Sequence, residues 1–177
     1  MTMTAETPAS LPAPPAASLR LHIGLMVLSG LILLGALSDF PAIFFDYGHT
    51  DRLVIFAQRL TSLKLALAPV IAGAALYFAI TRKLPHAIVA LATLMLVNWL
   101  TELPSIAIHG MEMKNGGITS LVIAAQRFLY PLLAIAAMAA ALRNERLVTA
   151  TVLTAIPMIV QWLGVVAFAV GIAIYGF

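Results

Sequence analysis

The chain has 177 residues, of which 62% are hydrophobic and only 10% are charged, and its formal net charge is +3. Soluble domains are about 45–50% apolar and about 25% charged, and a fold of this size has too much surface to keep so apolar a chain in water. The chain has no cysteine, which excludes disulfides, thiolate metal sites and cysteine nucleophiles. The composition predicts an integral membrane protein.

The first 19 residues are rich in proline, alanine, serine and threonine and have no helical periodicity. We expect residues 1–19 to form a disordered cytoplasmic tail, followed by a transmembrane domain over residues 20–177. A cleaved signal peptide is the competing interpretation. It fits poorly, because no basic residue precedes Arg20 and because Leu34 occupies the position where a cleavage site requires a small residue.

Five apolar segments approach or exceed the length of about 20 residues that a helix needs to cross a bilayer. None has a strand-like alternation, and inside lipid every backbone group must be paired within the segment. The sequence therefore predicts an all-α integral membrane protein, a bundle of five transmembrane helices. The predicted helices cover residues 21–37, 53–81, 85–108, 118–142 and 147–175.

Lysines and arginines near the segment ends predict the orientation, because basic loops stay on the cytoplasmic side. One side of the bundle has five of these residues: Arg20, Arg82, Lys83, Arg143 and Arg146. The other side has Arg52 and Lys114. We therefore expect a bacterial inner-membrane protein with a cytoplasmic N-terminus and a periplasmic C-terminus.

Two short sequence motifs recur in the same order along the chain. Ala-Gln-Arg occupies residues 57–59 and 125–127, and an amide residue precedes each of the two tryptophans, at 98–99 and 161–162. One interpretation is a parallel repeat, in which one helix is followed by two equivalent hairpins related by an axis along the membrane normal. The other is coincidence in a chain of narrow composition, and the unequal offsets of 68 and 63 residues leave both open.

Arg59 and Arg127 lie inside apolar segments, where a guanidinium that keeps its proton must find partners or water. Glu102 is the natural partner, since it is the one carboxylate within an apolar segment, and Asn98 lies four residues before it on the same helix face. A rise of about 1.5 Å per residue puts these polar residues in the outer half of the bundle. The predicted ligand-binding residues are Arg59, Arg127, Glu102, Asn98, Gln58, Gln126 and Gln161.

Two arginines and one glutamate leave one positive charge over. This surplus favours a protein that binds or carries an anionic or amphipathic small molecule in a polar pocket of the outer half, because guanidinium groups fit carboxylates and phosphates. Two other roles remain open for these residues: they reach the lipid headgroups, or they fix helix register. In the alternative function the protein is an accessory or assembly subunit of a larger membrane complex.

A second alternative is an outer-face copper or redox helper. His109, Met111 and Met113 follow one another closely, and His49 lies in the other outer loop; thioether and imidazole groups select copper(I). Ordinary interfacial packing explains the methionines equally well. Haem is disfavoured, because all four histidines lie at helix ends or in loops.

No catalytic motif is present, so we expect a non-enzymatic role and predict no catalytic residue. The ten lysines and arginines form no basic tract, which argues against nucleic acid as a partner. The expected partners are membrane lipid, a small-molecule ligand, and a membrane protein or a second copy of this chain.

Overall fold

The computed structural model of the chain describes residues 16–44, 52–109, 118–144 and 146–176. Every regular element in these ranges is helical, which confirms the predicted all-helical class. The helices are α1 (Ala16–Asp39), α2 (Arg52–Ile80), α3 (Leu84–His109), α4 (Ile118–Leu142) and α5 (Leu147–Tyr175), with a 3-10 helix, Phe40–Phe44, after α1. Because α1 begins at Ala16, directly after Pro15, residues 16–19 of the expected tail are helical, and residues 1–15 lie outside the described ranges.

Four of these helices are long and apolar enough to cross a membrane. The four stretches are Leu19–Phe44, Val54–Ile80, Leu84–Pro104 and Ala124–Leu142. In α5 the described side chains give a shorter apolar stretch, Leu147–Val160. The fold is therefore a multi-pass helical membrane bundle.

Helix α3 lies at the centre of the bundle. It packs most extensively against α2 and α4 and also contacts α1 and α5, whereas α2 and α4 do not contact each other within the described residues. The packing surfaces are made largely of alanine, with Ala72, Ala75 and Ala79 buried on α2 and Ala137 and Ala141 buried on α4. Spacings of three and four residues put each set on one face, and small side chains allow the helix backbones to approach closely.

The bundle is packed most tightly at one end. We call this the short-turn end, because residues 81–83 join α2 to α3 there, and α4 ends and α5 begins there. The largest fully buried apolar side chains, Leu25, Ile88 and Leu91, all lie in the halves of α1 and α3 nearest to it. At the opposite end, which we call the open end, Leu103 and Val170 are exposed. The polar residues predicted from the sequence lie towards the open end.

In the turn between α2 and α3, an arginine occupies a left-handed backbone position that is usually glycine. The N–H of Lys83 donates to the carbonyl of Phe78 at 2.9 Å, and the N–H of Arg82 donates to the carbonyl of Ala79 at 3.1 Å. This pair of bonds is a Schellman motif, whose left-handed position is normally glycine. Here Arg82 occupies it with φ of 60°.

Candidate functional site

The site centres on Arg127 of α4, which approaches Glu102 of α3. The Arg127 Nε lies 3.7 Å from the Glu102 Oε2, so the contact is an ion pair that is too long to be a hydrogen bond. The Arg127 side chain is 10% exposed, and the Glu102 side chain is 52% exposed. The arginine is therefore the buried partner, and the carboxylate lies at the edge of the site.

Two polar side chains of α3 and α4 have buried atoms without hydrogen-bond partners among the described residues. Arg127 has two such nitrogens, Nε and Nη1, and Asn98 has one such oxygen, Oδ1. A buried polar atom left without a partner costs about 1–3 kcal/mol, and more when the group is charged. The site thus combines N–H groups that lack an acceptor with an amide oxygen that lacks a donor.

A side-chain hydrogen bond from Trp99 links α3 to the backbone of α4 at Arg127. Its indole Nε1–H donates to the Arg127 carbonyl oxygen at 2.7 Å, across the α3–α4 interface. In a regular helix that carbonyl would accept from the N–H of the residue four positions later, but that residue is Pro131, which has no N–H. The Trp99 indole therefore replaces the bond that Pro131 removes, and it fixes α3 against α4 beside the buried arginine.

Trp99 was not among the predicted site residues. The available signal was the proline four residues after Arg127, which shows that a carbonyl needs another donor. Which side chain supplies that donor depends on the packing of α3 against α4, and sequence spacing does not encode it.

The other predicted ligand-binding residues are divided among helices. Arg59 is exposed and Gln58 is half-buried, both on α2, which does not contact α4 within the described residues. Gln126 is half-buried and directly precedes Arg127. Gln161 lies on α5, and its side chain falls outside the described part of the chain. The structure pairs Arg127 with Glu102 and places Asn98 about one helical turn before Glu102 on α3, whereas the exposed Arg59 forms no ion pair with Glu102 among the described residues.

The predicted copper ligands fall mostly outside the described ranges. His49, Met111 and Met113 belong to segments that are not described, and His109 is the last residue of α3 with an undescribed side chain. Within the described residues, no group of three or more His, Asp and Glu side chains is placed to hold a metal ion. The copper site stays a prediction.

Chemically, the cluster of Asn98, Glu102 and Arg127 can bind a polar group but offers no nucleophile or general base in its buried part. The guanidinium can donate to a carboxylate, phosphate or carbonyl oxygen, and the Asn98 amide oxygen can accept from a hydroxyl or N–H group. No protein-family model, no curated protein and no solved structure matches this chain. The functional argument therefore rests on the cluster itself.

Proposed function

We propose that this protein binds or carries an amphipathic small molecule that has an anionic or carbonyl group, at the cluster of Asn98, Glu102 and Arg127. The observation that carries the proposal is the Arg127 guanidinium, which is nine-tenths buried with two nitrogens lacking hydrogen-bond partners among the described residues. A guanidinium keeps its charge at membrane depth, so an acceptor that reaches it gains a charge-assisted hydrogen bond.

The position of the cluster supports an amphipathic ligand. Leu103, next to Glu102, is 40% exposed, and Phe128, next to Arg127, is 56% exposed. Exposed apolar side chains therefore lie at the same level of α3 and α4 as the polar groups, about 100° around each helix. A ligand with an apolar body and a polar head would bury the head against Arg127 and lay the body on that surface, where it contributes by leaving water or by replacing lipid.

We further propose that all five helices span a bacterial inner membrane, with the N-terminus in the cytoplasm and the C-terminus in the periplasm. Helix α5 has 29 residues, or roughly 43 Å at about 1.5 Å per residue, against a hydrocarbon core of about 30 Å. The five basic residues near the short-turn end support the orientation.

The two hairpins, α2–α3 and α4–α5, would be related by a parallel repeat in this proposal. The matching order of the two sequence motifs in the two hairpins supports the repeat. The environments of the two arginines have nevertheless diverged, because Arg59 is exposed and Arg127 is buried. A binding site in only one hairpin follows from that difference.

The test compares two arginines that occur in the same tripeptide. The probe is dodecanoate, with dodecanol as its uncharged counterpart, and binding to the purified protein is measured by calorimetry. Arg127→Met should weaken dodecanoate binding at least about tenfold, since hydrogen bonds to charged groups contribute about 1.5–3 kcal/mol. Arg59→Met is the matched control and should leave binding unchanged.

Three results would contradict the proposal. In the first, the wild type binds neither probe; in the second, it binds dodecanol as tightly as dodecanoate; in the third, Arg59→Met and Arg127→Met lose the same affinity. Because Glu102 is half exposed, it can be hydrated once Arg127 is replaced, so the variant should still fold.

A specific observation also favours the accessory-subunit alternative. Among the described side chains of α5, the deepest buried are Ala150 and Thr154, near its start, and large apolar side chains such as Val170, Ile172 and Ile174 are exposed near its end. A partner subunit packed there would cover a face that this chain leaves open. Purification from the native membrane in mild detergent should then recover a stoichiometric partner, and a monomer would count against the alternative.

A further inference from the structure

A second feature of the bundle lies away from the polar cluster, between α1 and α5. These two helices enclose a groove with a volume of about 640 Å³. Its α1 wall is made by Gly24, Val27, Leu28 and Leu31, and its α5 wall runs from Thr151 to Val166. A Cβ added at Gly24 would meet no atom within 4 Å, so this wall of the groove is not filled by the chain.

The groove has the dimensions of one lipid chain. Its α5 wall covers fifteen residue steps, from Thr151 to Val166, or roughly 22 Å at about 1.5 Å per residue. One leaflet of hydrocarbon is roughly 15 Å thick, half of a core of about 30 Å. The α1 wall covers seven residue steps, from Gly24 to Leu31, or roughly 10 Å, so an acyl chain that enters from the short-turn end can lie between both helices at first and along α5 for the rest of its length.

Positive charge lies at the same end of both walls. Arg20 precedes Gly24 by four residues, and Arg146 precedes Thr151 by five, so both arginines lie roughly 6–8 Å beyond the apolar lining. Both residues are exposed. The first turns of α1 and α5 contain no acidic residue to offset the positive ends of the two helix dipoles. Glu145 directly precedes Arg146 in the sequence, so the two arginines and this glutamate together leave one positive charge near the start of the groove.

We propose that the α1–α5 groove is a binding site for an anionic phospholipid, with one acyl chain in the groove and the phosphate between Arg20 and Arg146. Along the membrane normal, the two arginines would lie at the level of the lipid phosphate and the apolar groove at the level of the acyl chain. This site is independent of the proposed function, because none of its residues belongs to the cluster at Arg127.

A second copy of the chain fits the groove less well. The α5 wall has small residues four apart, Thr151 and Ala155, but the α1 wall has Leu28 four residues after Gly24, which interrupts the small-residue seam that close helix packing requires. A two-fold dimer through this face would also bring two copies of Arg20 and Arg146 to the same level, where like charges repel. A flexible acyl chain meets neither obstacle.

The test uses the full chain in detergent with equimolar dioleoylphosphatidylglycerol and dioleoylphosphatidylcholine, and native mass spectrometry counts the bound lipids. The wild type should retain phosphatidylglycerol preferentially. The double variant Arg20→Gln/Arg146→Gln should lower that preference by about fivefold for each arginine, the effect of one basic residue at an anionic lipid surface. The matched control, Arg82→Gln/Lys83→Gln, removes two charges from the same end of the bundle and should keep the preference.

A second pair of variants tests the apolar channel with all arginines in place. Gly24→Leu fills the groove and should release the bound lipid, whereas Gly73→Leu, at a glycine on α2 that also has open space around it, should not. The proposal is overturned if the wild type has no preference for phosphatidylglycerol, if the control charges matter as much as Arg20 and Arg146, or if Gly24→Leu retains the lipid. It is also overturned if a dimer is observed that Gly24→Leu abolishes, since the groove would then hold a second copy.

Discussion

The bond between Trp99 and the Arg127 carbonyl should be energetically coupled to Pro131. Trp99→Phe removes the indole donor and leaves that carbonyl without a partner, because Pro131 cannot supply an N–H. Pro131→Ala restores a backbone N–H four residues after Arg127. The tryptophan should therefore matter much less in the Pro131→Ala background than in the wild type.

The magnitude follows from the geometry of the bond. Interhelical hydrogen bonds within membranes contribute about 0.6 kcal/mol on average and up to about 1.7 kcal/mol. The Trp99 bond is short, at 2.7 Å, and its acceptor has lost its helical donor, so we expect a value near the top of this range. A coupling free energy of about 1.5 kcal/mol is the expected result, roughly a tenfold change in the unfolding equilibrium.

A double-mutant cycle measures this coupling directly. The four proteins are unfolded with sodium dodecyl sulfate in mixed micelles, and helix loss is followed by circular dichroism. Loss of the larger indole ring occurs on both sides of the cycle and cancels, so the difference reports the bond. Pro157→Ala on α5 serves as the control, because Trp99 donates to no carbonyl there, and it should be additive with Trp99→Phe. Additive effects of Trp99→Phe and Pro131→Ala would refute the reasoning.

Three further predictions concern the fold. Because the chain has no cysteine of its own, a membrane-impermeant maleimide should label Asn144→Cys only from the cytoplasmic side and Gly176→Cys only from the outside. If both cysteines were labelled from the same side, α5 would not span the membrane. Arg82→Gly should raise the free energy of unfolding by about 1 kcal/mol, since a left-handed backbone costs about 1–2 kcal/mol for a residue with a Cβ. Arg143→Gly, where φ is not positive, should give no gain in the same denaturant titration, and a gain of equal size would contradict the strain argument. Leu25→Ala should lower the free energy of unfolding by about 2 kcal/mol or more, because Leu25 is fully buried, while an exposed leucine of α1 should tolerate the change; equal losses would show that the core lies elsewhere.

The sequence alone was enough to predict the helices. The predictions 118–142 and 147–175 coincide with α4 and α5, and those for α2 and α3 are within one residue at each end. The physical reason is local: a helix in lipid satisfies its own backbone hydrogen bonds, so the length of an apolar run and the breaks in it set the helix bounds. The first helix was predicted less well at its start, 21 against Ala16, because Ala-Ala-Ser-Leu also favours a tail rich in small residues.

Only the tertiary structure decided which polar residues meet. Arg59 and Arg127 close the same tripeptide, yet one side chain is exposed and the other is nine-tenths buried. The difference comes from helix packing: Arg127 lies where α4 packs against Glu102 and Trp99 of α3, whereas Arg59 is exposed although α2 also packs against α3. Local sequence fixes that an arginine lies at membrane depth, and helix packing fixes whether lipid, a carboxylate or a ligand must satisfy it.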